Sequence, residues 1–161
     1  MTAREQAQLY EAAAGSRAIT IADIVPAAAG PLAPVHHVGR NSLLLFRHFE
    51  KRFSRPDDPE ACANGELWGY NHQTMSPFTG PGYFVAYDID QGQVLIDYTR
   101  LPLRGAHGWP RVISNTARLS RFIYNGTQDT LRGVSKHVTI GRAARAGKVM
   151  DNWFVLCRVD R

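Results

Sequence analysis

His72 and His137 are the side chains here whose type and setting best suit proton transfer. Each alternates along an extended stretch with aromatic or small polar neighbours rather than with core aliphatics. An imidazole titrates near neutral pH, so either can serve as a general base once a carboxylate or phenol orients it. Asp97, Asp129 or a tyrosine are the partners within the same stretches, and Tyr124 is the tyrosine placed to act as an acid. The competing reading of each histidine is a hydrogen-bonded strand residue with no chemical duty. Arg132 carries a second chemistry: its planar fork can clamp a carboxylate with two parallel hydrogen bonds. In TQDTLRG it lies three residues after Asp129, and a pair between the two on one helical turn is the structural alternative to that clamp.

Metal and cofactor chemistry has little to stand on. His36 and His37 are adjacent in an extended, proline-rich connector and point opposite ways. The chain holds no HxH, HExxH or CxxC spacing, and its two cysteines, Cys62 and Cys157, sit in unlike surroundings. The glycine-rich segment PFTGPG (77–82) lacks the spacing of a phosphate loop, and GAHGWP (105–110) is a second shaped loop that brings Trp109 and His107 toward a rim. No cofactor and no metal are expected.

A flat apolar ligand asks for aromatic walls, and these recur with a period of two. One candidate inner face carries Trp68, Tyr70 and His72, a second Tyr83 and Tyr87, a third Tyr98, and a fourth Phe122 and Tyr124. With Trp109 at the rim and Arg132 for an anionic group, they form the candidate ligand-binding set. Filling of a solid barrel by the same rings is the alternative.

These side chains need β-strands to hold them. YFVAYDI and QVLIDYTRL flank Asp90-Gln91-Gly92 and predict a hairpin. Alternation also predicts strands over 66–72, 119–125, 134–140 and 152–159. Five or six strands in meander order, with no long helix between them, disfavour a βαβ sheet and favour closure into a small antiparallel barrel. Ahead of it, Thr2 and Glu5 make a capping box for a first helix that Gly15 ends. Residues 19–25 fit strand or helix equally. Residues 26–34, with three prolines, form a connector. The spacing of Leu44, Leu45, Phe49 and Phe53 predicts an amphipathic helix over 43–53, with Lys51 on its polar side. The chain thus reads as mainly β (α+β) and as one domain, with a helical segment over 1–56 and an antiparallel barrel over 65–161.

The 161 residues are 44% hydrophobic and 20% charged, which suits a packed core and excludes wholesale disorder. MTAREQAQLYEAAAG lacks the apolar run of a signal peptide, and no apolar run approaches membrane-spanning length. A cytoplasmic protein without membrane contact is expected. The net charge of +5 is concentrated after residue 117, where nine Lys or Arg face three Asp. That asymmetry permits a nucleic-acid or anionic partner, but a solvated arginine-rich surface accounts for it more simply. A homodimer through either N-terminal helix is allowed, as is packing of both on the core.

The run IYNGTQDTLRGVSKHVTIGRA, followed by NWFVLCR, resembles the C-terminal part of the GXWXG/DUF4334 family of small lipocalin-like (calycin) proteins of unknown function. The matching positions are Tyr124, Asp129, Leu131-Arg132, Val134, Ile140-Gly141 and Phe154 through Arg158, with FEKRF at 49–53 similar to an upstream family segment. The GxWxG motif itself is absent, and Asn125 and Ser135 stand where the family has aspartates. The resemblance covers about a third of the chain and implies a calycin-like barrel without implying a reaction.

Three functions fit these observations. The first is a barrel that binds a hydrophobic or aromatic small molecule. The second is a cofactor-independent isomerase, cyclase, lyase or hydrolase that uses His72 or His137 with tyrosines. The third is anionic-partner binding through Arg118, Arg121, Arg142, Arg145 and Lys148.

Overall fold

Thr2 caps helix α1 (Ala3–Ala12): its hydroxyl accepts from the Glu5 amide at 3.3 Å, and the Glu5 carboxylate accepts from the Thr2 amide at 2.7 Å. This is the capping box read from the sequence. The computed structural model describes residues 1–43, 47–72, 80–115 and 124–159. After α1 come a one-turn helix α2 (Ile21–Ile24), strands β1 (Val35–Asn41) and β2 (His48–Ser54), and a short helix α3 (Pro59–Ala63). The remaining strands are β3 (Leu67–His72), β4 (Tyr83–Ile89), β5 (Gln93–Asp97), β6 (Thr127–Gly133), β7 (Val138–Arg145) and β8 (Lys148–Val159). Each strand pairs antiparallel with the next, and β1 pairs with β8, so the eight strands close into a barrel. Closure leaves no strand edge unpaired. The predicted hairpin is β4–β5, and Gln91 and Gly92 turn its chain with φ of 65° and 64°.

Two expectations fail at the N-terminal side. The barrel begins at residue 35 instead of 65, and residues 48–54 form a strand where a helix was predicted. Phe49 and Phe53 are four apart, and four is a whole number of strand periods as well as about one helical turn. Pairing with β1 and β3 decides between the two. Among the described residues up to 56, helices occupy 3–12 and 21–24. The amphipathic helix offered as a dimer face is therefore, over 48–53, barrel wall. The strand expected over 119–125 lies mostly outside the described residues.

Register fixes the barrel interior. His37, Gly39 and Asn41 of β1 share a face with Phe49, Lys51 and Phe53 of β2, and the same face continues through Asn71, Phe84, Ile96, Asp129, Gly141 and Phe154. Inward aromatics sit across from inward glycines: Phe49 opposite Gly39, Phe84 opposite Gly69, and Phe154 opposite Gly141. A Cβ at any of these glycines would collide with the ring it faces. Glycine here is the space in which each ring lies.

The interior divides into two halves. The lower half is solid: Phe53, Leu67, Ala86, Val94, Ile96, Leu131 and Leu156 pack against Ile19, Ile24 and Val25, which enter from the N-terminal segment as a plug. The carbonyls at the end of α2 have no partner within so short a helix. His37 Nε2 contacts the Ile24 carbonyl at 2.9 Å, Arg55 donates to that of Val25 at 3.3 Å, and Arg158 donates to that of Asp23. The Arg55 and Arg158 guanidiniums are favourably placed at this helix C-terminus. No helix among the described residues is long and apolar enough to cross a membrane.

Candidate functional site

The upper half of the barrel contains a cavity of about 340 Å³ with a charged pair in its wall. Lys51 comes from the middle of β2 and is 2% exposed; Asp129 comes from β6 on the far side and is 4% exposed. The lysine Nζ donates to Asp129 Oδ2 at 3.2 Å and to Asn71 Oδ1 at 2.9 Å, and makes a close contact with Tyr98 Oη. Asn71 Nδ2 in turn donates to Tyr98 Oη at 2.8 Å, and Tyr98 Oη lies 3.3 Å from Asp129 Oδ2, to which it donates. Asn71 is directly across the β2–β3 ladder from Lys51, so two neighbouring strands hold half of the cluster in register.

Four rings surround the ammonium. Their centres lie 4.9 Å (Phe154), 5.0 Å (Tyr98), 5.3 Å (Phe84) and 5.6 Å (Phe49) from Nζ. Such a cage favours the cation through the negative faces of the rings. Tyr124 stacks on Tyr98 with centroids 5.2 Å apart, and it extends the aromatic wall.

Burial acts on every titratable member of this group. It pushes the Lys51 ammonium below its ordinary range, against the opposing pull of the Asp129 charge. It pushes the Asp129 carboxyl above its ordinary range, against the pull of Lys51 and of the Tyr98 hydroxyl. Tyr98 and Tyr124 are both raised by burial, with the nearby Asp129 charge adding to it. The ion pair and its proton-transferred form, neutral amine beside neutral acid, are thereby brought closer in energy. The cluster can hold a proton at nitrogen, carboxyl or phenol, and it can present a nucleophilic amine to the cavity.

Asp129 is thus a partner of Lys51 and not of Arg132: β6 is a strand, and residues three apart on it face opposite sides. Arg132 lies outside the barrel, where its guanidinium stacks 3.9 Å from the Tyr10 ring centre and donates to the Tyr10 carbonyl at 2.8 Å. It fastens α1 to the wall and does not reach the cavity as a clamp.

The two histidines offered as bases are also elsewhere. His72 is exposed at the end of β3, its ring edge-on to Tyr70. His137 sits in the β6–β7 turn at the lower end, 3.0 Å from the Arg158 guanidinium. Neither lines the cavity. Tyr98 and Tyr124 do line it.

The remaining aromatics lie on the opposite face of the wall from the one expected. Trp68 and Tyr70 alternate with inward Gly69 and Asn71, and Tyr83 and Tyr87 alternate with inward Phe84 and Ala86. Shifting register by one residue exchanges the faces of a strand, and a covered outer face reads like an inner one. The cover is the chain after β5. Trp109 packs edge-on against Tyr70 at 4.9 Å, the Tyr83 hydroxyl donates to the Pro110 carbonyl, and Asn115 donates to the carbonyls of Tyr83 and Tyr98 at 2.7 and 2.8 Å. Trp68 is buried with Ala61 of α3 and Val85, with the Arg104 guanidinium over its ring, and Tyr87 is partly covered by Arg100. Asp97, offered as an orienting carboxylate, accepts from the Thr99 amide and hydroxyl and from Gln128, and so braces the end of β5. Phe122 lies outside the described residues.

Lys51 and Asn71 are the site residues that sequence reasoning missed. Their signal is a lysine two residues from a phenylalanine on either side, as in Phe49-Glu-Lys51-Arg-Phe53: on a strand, that places a cation in an apolar face.

Among the described residues no three His, Cys, Asp or Glu side chains gather to hold a metal, and the Lys51 ammonium takes the position beside Asp129 that a cation would want. Of the basic residues, Arg142 and Arg145 are three apart on β7. Arg142 is outside with Asp151 and Trp153, and Arg145 lines the cavity. They do not form one surface, and Arg118 and Arg121 lie outside the described residues. Comparison of the chain with protein-family models, with curated proteins and with solved structures returned no match.

Proposed function

We propose that this protein binds a compact, largely apolar or aromatic small molecule in the upper half of the barrel. The cavity supports this: about 340 Å³ lined by Phe49, Phe154, Met150 and Tyr124, with the Lys51–Asp129 pair at its wall. That volume falls at the lower end of small-molecule sites, in which apolar walls supply affinity and a few fixed polar groups supply orientation. It favours a ligand of one or two rings with a single carbonyl, phenol or hydroxyl group over a long-chain lipid. The eight-strand meander closed by its first and last strands agrees with the lipocalin-like relationship that the C-terminal resemblance implies. Two exposed, unpaired cysteines suit a cytoplasmic setting.

Native mass spectrometry of freshly purified protein, before and after incubation with a panel of phenolic and monoterpenoid compounds, tests the binding function. One bound molecule per chain, lost on Ala143→Phe, is the expected outcome. A chain that stays empty across the panel, and binds no better than the filled variant, would sink it.

A catalytic role has one specific support. Tyr98 Oη touches both the lysine nitrogen and the Asp129 carboxylate, so an unbroken proton path runs along the cavity wall. Acid–base chemistry in this barrel would then belong to Lys51, Tyr98 and Asp129 rather than to the histidines.

A further inference from the structure

We infer that the cavity takes aldehydes in particular, and that Lys51 captures them covalently as a protonated imine with Asp129 as its counter-ion. The inference rests on the small-molecule function proposed above and goes beyond it by naming both the reacting atom and the ligand class.

Geometry carries the case. Lys51 is the one buried lysine of three; Lys136 and Lys148 are exposed. Its nitrogen lies at a cavity wall, in contact with a carboxylate, a phenol and an amide oxygen, which are the acceptor, relay and anchor that imine formation requires. Capture begins when the ammonium passes a proton to the Asp129 carboxylate, directly or through Tyr98. The freed amine lone pair adds to the aldehyde carbon as the carbonyl π bond breaks, and the oxygen takes a proton from that nitrogen to become the carbinolamine hydroxyl. Asp129 returns its proton to that hydroxyl, the C–O bond breaks, and water departs as the C=N bond forms. The balance is ammonium, carboxylate and aldehyde going to iminium, carboxylate and water, with no oxidant or reductant. The positive charge is unchanged in place and sign, so the four rings and Asp129 that hold the ammonium hold the iminium equally. Asn71 Nδ2 already donates to Tyr98 Oη, and Tyr98 Oη to Asp129, and these bonds persist when the nitrogen is reduced from three N–H donors to one.

The experiment is reductive trapping on the full chain. Benzaldehyde is the probe, since it does not alkylate the exposed Cys62 and Cys157. Benzyl alcohol is the control that fits the same space without a carbonyl. With cyanoborohydride present, intact mass and peptide mapping should find one reduced benzyl adduct per chain, on Lys51 ahead of Lys136 and Lys148. Competing benzyl alcohol should diminish it, and Asp129→Asn should slow it by a larger factor than it weakens benzyl alcohol binding. Adducts confined to Lys136 and Lys148, with both probes seen bound by native mass spectrometry, would overturn the imine and leave the binding function standing. Failure of both probes to bind would remove the cavity ligand and the imine together.

Discussion

The lower and upper halves of this barrel share strands, and they solve opposite problems. Below, aliphatic side chains and the Ile19–Ile24 plug fill the interior, and His37, Arg55 and Arg158 meet the carbonyls of α2 at the rim. Above, the same strands contribute a lysine, an asparagine and an aspartate around a void, and the turns that follow β5 and precede β6 add two tyrosines. A solid half earns stability from burial; a hollow half, with a charge pair taken out of water, draws on it. The barrel can therefore keep a costly upper site because the lower half is packed and sealed.

Four experiments test that division. Breaking the charge pair should have the largest effect: Lys51→Met leaves a buried carboxylate without its partner, and about 3–5 kcal/mol should be lost in denaturant unfolding. The double variant Lys51→Met/Asp129→Leu should recover most of that loss. If the single variant is as stable as the parent, the pair is not the cost of the upper half. Next, Leu131→Ala in the solid half should lose roughly 2–5 kcal/mol, whereas Met150→Ala beside the cavity should lose well under half as much. Equal losses would mean the halves are packed alike.

Glycine substitutions separate the halves more finely. At Gly69 an added Cβ meets both the Phe84 ring and, at 2.7 Å, the Arg52 carbonyl oxygen, so strain of about 1–3 kcal/mol is expected. At Gly39 it meets the Phe49 ring at 2.5 Å, and that ring borders the cavity and can turn into it. Gly39→Ala should cost less stability and more ligand affinity than Gly69→Ala, read by unfolding and by native mass spectrometry.

The smallest effect is alkaline. Tyr98 and Tyr124 have folded-state pKa values raised above their ordinary value, so their contribution is complete below about pH 10 and falls as pH climbs above it, where unfolded tyrosines ionise and the buried ones do not. Stability should decline from about pH 10 upward, and Tyr124→Phe should flatten part of that decline. An unchanged slope would place Tyr124 in water.

Much of the fold was legible in the sequence, and so was part of the site. Alternation and a glycine-bearing turn gave the β4–β5 hairpin and the meander, because those signals are local. Which face of each strand turns inward is not local. Trp68, Tyr70 and Tyr83 look like lining because they are buried, but on the outside: Tyr70 and Tyr83 under Trp109 and Pro110, Trp68 against Ala61 and Arg104. The better guide was the quieter residue between them: Gly69, whose missing side chain makes room for Phe84. Lys51 was hidden by its company, since a lysine between glutamate and arginine resembles a solvated helix face until the ladder to β1 and β3 is known. Tyr98 was legible as a cavity residue because it continues the inward alternation of Val94 and Ile96.

The seal at the lower end also sets an order of events in time. Asp23 and Arg158, which meet there, are 135 residues apart, and the first strand of the barrel is completed only by the last. A contact of that span has to wait for nearly the whole chain, and folds dominated by such contacts assemble slowly. During synthesis Ile19 and Ile24 leave the ribosome long before β8 exists to enclose them. The chain carries its own stopper from the beginning and can use it only at the end, and over that interval two isoleucines destined for the centre are in reach of any other apolar surface.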